Sequence, residues 1–360
     1  MNFEINCGYH RIVLLVSVIV LLAIMLSPLT GLAQGAGGQQ PTPAATRADF
    51  LRMLDRPRVP LDAEVKTLPD AGGLTYEHFT VAAELGQRVP GILLKQAGNA
   101  RRPVVVVLHG TGGTKEGQLS LLKTLAGRGF VAVAIDGRYH GERQNGTGAT
   151  RYGEAMLQTY RTGKGHPFLY DTVWDVMRLI DYLETRPDVD AARIGVMGFS
   201  KGGMETYLAA AVDSRIAVAV PMIGVQSFGW ALDNDKWASR VGTFQVAIDG
   251  AAKDAGLGRV DAAFVRTFYD RVAPGIYTEF DGPAMLPLIA PRPLLVINGD
   301  SDARTPLPGL MNCVTPARQA YQRAKVEDKF RLYLQKDTGH AITPAGLQTA
   351  IDWLVTWLTE

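Results

Sequence analysis

Two kinds of apolar pattern follow one another along the chain. Residues 74–83 and 88–94 alternate apolar and polar positions on either side of Gly86, which predicts an antiparallel hairpin. The character then changes. Residues 103–108 read PVVVVL, a β-branched run without alternation, as expected of a strand covered on both faces. Residues 131–135 (VAVAI), 194–197 (IGVM), 216–220 (IAVAV) and 294–297 (LLVI) repeat it, and a last strand is expected at 330–334. Helix-like stretches lie between them, at 117–126, 170–184, 203–212 and 316–324, with a short amphipathic helix at 47–54 and a terminal one at 344–358. Buried strands alternating with helices predict an α/β domain: a mostly parallel central sheet with helices on both faces. Two segments break the rhythm, 141–168 and 222–290. The second carries Phe228, Trp230, Trp237, Phe244, Phe264, Phe268, Tyr269 and Tyr277 and is expected as an inserted cap. Insertions at the strand ends of such a sheet are where ligands are usually met, although any one of these aromatics is expected first to pack the insertion onto the body.

The N-terminus follows a different rule. After Arg11 comes an apolar run, 12–26, broken by Ser17, closed by Ser27-Pro28 and followed by Gly31-Leu32-Ala33. A basic flank, a short apolar core and small residues at the exit describe a secretory signal over residues 1–33. The rival is an uncleaved membrane anchor, for which ~20 apolar residues are usual. Residues 34–46, QGAGGQQPTPAAT, read as a flexible tether, which leaves 47–360 for the folded domain. A periplasmic or extracellular location is expected, with no membrane contact once the signal is removed.

Charge narrows the partners. Lys+Arg number 37 against 35 Asp+Glu, a formal +2, with no long basic block, so nucleic acid is disfavoured. Cys7 lies in the signal and Cys313 would stand alone after cleavage, which excludes an intramolecular disulfide in the mature chain. Cys313 is expected as a buried small hydrophobe. HExxH and CxxC are both absent, and no metal or cofactor is expected. The pattern does not specify an oligomeric state.

The chemistry enters after strand IGVM. Gly198-Phe199-Ser200-Lys201-Gly202 is G-x-S-x-G in the strand–turn–helix setting that holds a hydroxyl out at a helix N-terminus. Eight serines and 39 glycines in 360 residues would produce only about 0.1 such matches by accident. A serine needs a base to take its proton. Of six histidines, His340 alone follows the last strand, and the chain order serine, acid, histidine requires a late one. The acid is expected after LLVI, where Asp300 and Asp302 compete; Asp302 lies farther out on the loop and is preferred, with Asp300 read as capping its own turn. Donors for an oxyanion are expected from the backbone N–H of Thr111, in His109-Gly110-Thr111-Gly112-Gly113, and of Lys201. A phosphate loop is excluded, since GTGGTK lacks the G-x-x-x-x-G-K-[ST] spacing.

Together HGTGG, GFSKGG, GDSDARTP and TGH resemble the α/β-hydrolase superfamily from about residue 74 to the end. The stretch from Asp136 to Arg143, DGRYHGER, is similar to that of dienelactone-hydrolase-like and acetyl-xylan-esterase-like members. That resemblance implies a serine esterase with Ser200, Asp302 and His340 as its triad. It also implies that His140 shapes a loop rather than reacts. Dienelactone hydrolase itself uses cysteine, so only the wider group is implied. Glucuronoyl esterases place an arginine directly after the nucleophile, which raises an oxyanion role for the Lys201 ammonium; the alternative is a solvated lysine. The expected reaction is hydrolysis of small or polymer-linked carboxylic esters. Alternatives are a peptidase resembling the prolyl-oligopeptidase catalytic domain, and a silent binding protein on the same scaffold.

Overall fold

In the computed structural model, residues 42–69, 72–143 and 148–359 are described. The expected signal, residues 1–33, lies outside them, as does all of the expected tether but its last five residues. Among the described residues no helix is long and apolar enough to cross a membrane.

The predicted hairpin is present as β2 (Leu74–Glu84) and β3 (Gln87–Gln96), with a short β1 (Glu64–Thr67) added to its outer edge. All four residues of β1 are exposed, so it carries no apolar pattern that could have announced it. The covered runs form β4 (Arg102–Leu108), β5 (Val131–Ile135), β6 (Val189–Phe199), β7 (Ile216–Met222) and β8 (Leu294–Gly299), and β9 (Phe330–Gln335) completes the sheet. Nine strands lie in the order β1-β2-β3-β5-β4-β6-β7-β8-β9. From β5 to β9 every neighbour is parallel, while β3 meets β5 antiparallel. The chain enters the parallel part at β4, steps one way to β5, and then crosses to the other side at β6. The loops after β4 and β6 therefore leave the same switch point, where α/β sheets gather their sites.

The missing alternation in β4 has a direct cause. Val104, Val106 and Leu108 point to one face of the sheet and Val105 and Val107 to the other, and all are buried. The first face is covered by α1 (Pro43–Leu54), α4 (Tyr170–Glu184), α5 (Lys201–Val212) and α11 (Leu307–Ala324). The second is covered by α2 (Leu119–Gly127) and α12 (Pro344–Thr359). This is the α/β-hydrolase fold.

Two helix starts differ from expectation. α1 opens at Pro43, inside the expected tether, because Thr42 accepts the Ala45 N–H and proline suits the first turn. α11 opens at Leu307 and runs through Pro316, which sequence alone placed at its start. Pro316 removes the hydrogen bond to Asn312, an exposed residue whose carbonyl water can serve, while buried Leu310, Cys313, Val314, Ala317 and Tyr321 anchor the helix on either side. The first insertion holds α3 (Gly148–Thr162). The second holds α6 (Phe228–Asp233), α7 (Ala238–Val241), α8 (Gln245–Asp254), α9 (Ala262–Val272) and α10 (Gly282–Met285). Its aromatics join the two insertions: Tyr160 stacks on Phe268 at 5.5 Å and Phe168 meets Phe244 at 5.1 Å.

Candidate active site

Ser200 sits between β6 and α5 at φ +53°, ψ −111°, a conformation that a residue with a side chain rarely adopts. Its N–H donates to the Met222 carbonyl at 2.9 Å, which ties the turn to β7. Glycine is obligatory on both sides. A Cβ on Gly198 would lie 2.3 Å from the Gly202 oxygen, and one on Gly202 would lie 2.2 Å from the Leu108 oxygen. The turn is thus packed against the end of β4, and the serine hydroxyl is left as the group that projects.

Two further loops converge on that hydroxyl. His340, between β9 and α12, places Nε2 2.9 Å from Ser200 Oγ and Nδ1 2.8 Å from Asp302 Oδ2. The carboxylate accepts a hydrogen bond from Nδ1–H and so fixes the proton there, which leaves the Nε2 lone pair toward the serine. Asp302 Oδ1 accepts the N–H groups of Arg304 (2.8 Å) and Thr305 (3.1 Å). Burial pushes the Asp302 carboxyl up, but the His340 contact and these two amides outweigh it and hold it below the usual range. Asp300 does not reach the imidazole. It accepts the Ser301 hydroxyl at 2.9 Å within its own turn and the N–H groups of Asp337 and Thr338 at 3.1 and 3.2 Å, so it caps its own turn and also fastens the histidine loop to the acid loop.

The glycine-rich turn after β4 lies against the elbow: a Cβ on Gly110 would come 3.5 Å from Ser200 Cβ. Thr111 follows in that turn, and Lys201 is the first residue of α5, where amides have no intrahelical acceptor. His109 is buried, donates from Nδ1 to the Gly110 carbonyl at 2.8 Å and accepts the Gly137 N–H on Nε2 at 3.0 Å. Burial and the nearby Lys201 charge keep it neutral.

The Lys201 side chain departs from the solvated alternative. It is buried, with Nζ 2.7 Å from Glu205 Oε1 and 5.7 Å from the centre of the Tyr152 ring. The signal for this partner was present as Lys-Glu at i, i+4 on a helix, though spacing alone does not say that the pair is buried. Lys115 of the rejected phosphate loop is likewise enclosed, held by Asp136 (2.8 Å), Glu116 (2.6 Å) and Glu142 (2.6 Å). His140 is fully buried, packs at a tilt against the His109 and Tyr152 rings at 5.0 Å each, and is pushed down to about 3 by burial and by Lys201. The charged residues of DGRYHGER act as a frame. Arg138 holds Asp175 in two contacts, at 2.8 and 2.9 Å, and Arg143 meets the same carboxylate at 2.6 Å. Among the described residues no group of three or more His, Cys, Asp or Glu is placed to hold a metal ion.

A family model described as glucuronyl esterase, fungi, matches residues 95–324. The Bacillus subtilis protein YtaP, provisionally named a hydrolase, is 26% identical over 331 residues, covering 88% of this chain and 99% of its own. The 4-O-methyl-glucuronoyl methylesterase of Hypocrea jecorina is 29% identical over 182 residues, 49% of this chain and 38% of that one. Among solved structures, acetyl xylan esterase 1 from Thermoanaerobacterium superposes with a TM-score of 0.65 at 18% identity, covering 89% of this chain and 96% of that one. A glucuronoyl esterase from Solibacter usitatus does so with a TM-score of 0.58 at 15% identity, covering 86% and 91%.

Proposed function

The chain belongs to the glucuronyl esterase family, and from that premise we propose that it is a serine carboxylic-ester hydrolase working through an acyl-enzyme on Ser200. The matching family and the Hypocrea jecorina relative support an esterase on the α/β-hydrolase scaffold. The observation that supports it is the unbroken chain from Asp302 through His340 to Ser200, at 2.8 and 2.9 Å. His340 Nε2 takes the hydroxyl proton as Ser200 Oγ attacks the ester carbonyl, and Asp302 stabilises the imidazolium that forms. The backbone N–H groups of Thr111 and Lys201 receive the oxyanion. The imidazolium returns its proton to the leaving alcohol, and water, activated by the same imidazole, releases the acid.

The substrate class follows the relatives. Uronate esters are the first to test, because the matching family and the Hypocrea jecorina relative carry that name; acetyl esters are the second. The reading of residues 1–33 as a signal places the enzyme outside the cytoplasm, which N-terminal sequencing of the mature protein checks. The deciding assay uses p-nitrophenyl acetate, a methyl glucuronate, acetylated xylan and a Pro-X peptide, each with wild type and Ser200→Ala. Ester turnover that vanishes in Ser200→Ala, with the peptide left intact, is the expected result. Peptide cleavage, or no turnover of any substrate, refutes the proposal.

A further inference from the structure

One buried cation stands two hydrogen bonds from Asp302 and has no ion-pair partner among the described residues. Arg240, on α7 of the second insertion, is 5% exposed. Its Nε donates to Gln226 Oε1 at 2.7 Å and its Nη2 to Thr305 Oγ1 at 2.6 Å. Both acceptors are neutral and fully buried. The titratable groups around it from other elements are Tyr207 on α5, Tyr269 on α9 and Cys313 on α11, each held protonated by burial. Among the described residues the Tyr207 and Tyr269 hydroxyls and the Gln226 amide nitrogen have no hydrogen-bond partner, so these groups offer donors and neutral surroundings to the guanidinium rather than an anion. Asp281, the other carboxylate of the region, is taken up by Ser227 and by the N–H groups of Phe228, Gly229 and Gly282. Burial lowers Arg240 to about 10, which leaves it cationic at neutral pH, and Asp302 is the main charge opposing that effect.

Thr305 is the junction. Its hydroxyl accepts from Arg240 while its own N–H donates to Asp302 Oδ1 at 3.1 Å, and Asp302 Oδ2 holds His340 at 2.8 Å. The other charges of these two loops compete weakly. Arg304, Lys336 and Asp337 are exposed, and Asp300 is engaged by backbone N–H groups. The Lys201 ammonium is paired with Glu205.

We propose that Arg240 is a positioning residue for the Asp302–His340 pair: it anchors the acid loop through Thr305, and it directs a positive charge at the pair from behind the carboxylate. The proposal rests on reading Ser200, His340 and Asp302 as the working triad. A nearby cation favours the Asp302 carboxylate and disfavours the imidazolium, so removing it raises the pH at which the base is lost. Across the three hydrogen bonds that separate the guanidinium from the imidazole, at an intermediate dielectric, the shift is about half to one pH unit.

The test is the pH profile of kcat/KM on p-nitrophenyl acetate for the full chain. Arg240→Met moves the acid limb upward by that amount, while Arg240→Lys, which keeps the charge, leaves it at the wild-type position. Gln226→Glu gives the guanidinium a carboxylate partner without removing it and moves the limb in the same direction, which covers an Arg240→Met protein that does not fold. An acid limb unmoved in Arg240→Met, or in Gln226→Glu if that is the variant that folds, overturns the proposal. So does an equal movement in Arg240→Lys, which would make packing the cause. Ser200→Ala separates the two levels. Turnover surviving in it sinks the triad reading and this proposal together, whereas an unmoved limb in an enzyme that Ser200→Ala silences sinks the proposal alone.

Discussion

Replacing Lys201 with methionine isolates one charge with little change of volume. Lys201 Nζ and Glu205 Oε1 lie 2.7 Å apart, with side chains 2% and 1% exposed. Breaking a buried pair by removing one partner costs about 3–5 kcal/mol, because the remaining charge stays desolvated. Glu205 keeps a hydrogen bond from Thr172 and has one escape, which is to take up a proton. Burial already raises its carboxyl above the ordinary value, against the pull of Lys201, and without Lys201 it rises further. The sign of the pH effect follows. A carboxyl whose folded pKa exceeds its unfolded one binds more protons when folded, so its contribution to stability is present below the unfolded value and is lost as pH rises through the folded one. The penalty of Lys201→Met is therefore smallest near pH 5 and grows toward pH 8. Urea unfolding followed by circular dichroism across that range measures it, and the double variant Lys201→Met/Glu205→Leu should recover most of the loss. A single-variant penalty below about 1 kcal/mol at pH 7, or one that does not change with pH, would refute the reasoning. The same variant keeps the backbone N–H, so a kcat that stays at the wild-type value removes the ammonium from any account of the oxyanion.

Asp302→Asn should lower kcat by about 10⁴, because the amide leaves the imidazole in the wrong tautomer, whereas Asp300→Asn, which touches backbone amides and the Ser301 hydroxyl but not the imidazole, should cost less than about tenfold; steady-state kinetics on p-nitrophenyl acetate compares them. Gly202→Ala places a Cβ 2.2 Å from the Leu108 carbonyl and must displace the elbow, with a loss of about a hundredfold or more in kcat/KM. Asp281→Ala strips the acceptor from three backbone N–H groups and the Ser227 hydroxyl, loosening the start of the second insertion by about 2–4 kcal/mol in urea titrations. Cys313 is buried, with its thiol held protonated, so Ellman's reagent should react with it only on unfolding.

Much of this was legible along the chain because it is local. A strand covered on both faces cannot alternate, so β4, β5 and β8 show as unbroken apolar runs, and a turn as tight as the one at Ser200 cannot tolerate side chains at Gly198 or Gly202. Chain order then separated His340 from five other histidines. What the sequence left open were questions of distance between segments that do not know of one another. Asp300 and Asp302 are two residues apart on one loop, and only the packing of β8 beside β9 directs the second at the imidazole and spends the first on the turn below it. The start of α11 was hidden because Pro316 is a local signal, overridden by apolar contacts from elsewhere in the chain. Lys201 and Arg240 look like ordinary surface cations in a string of letters. Their burial, the partner each acquires and the charge each brings to the site were decided only when α5 and the second insertion closed over the sheet, because desolvation depends on the whole fold.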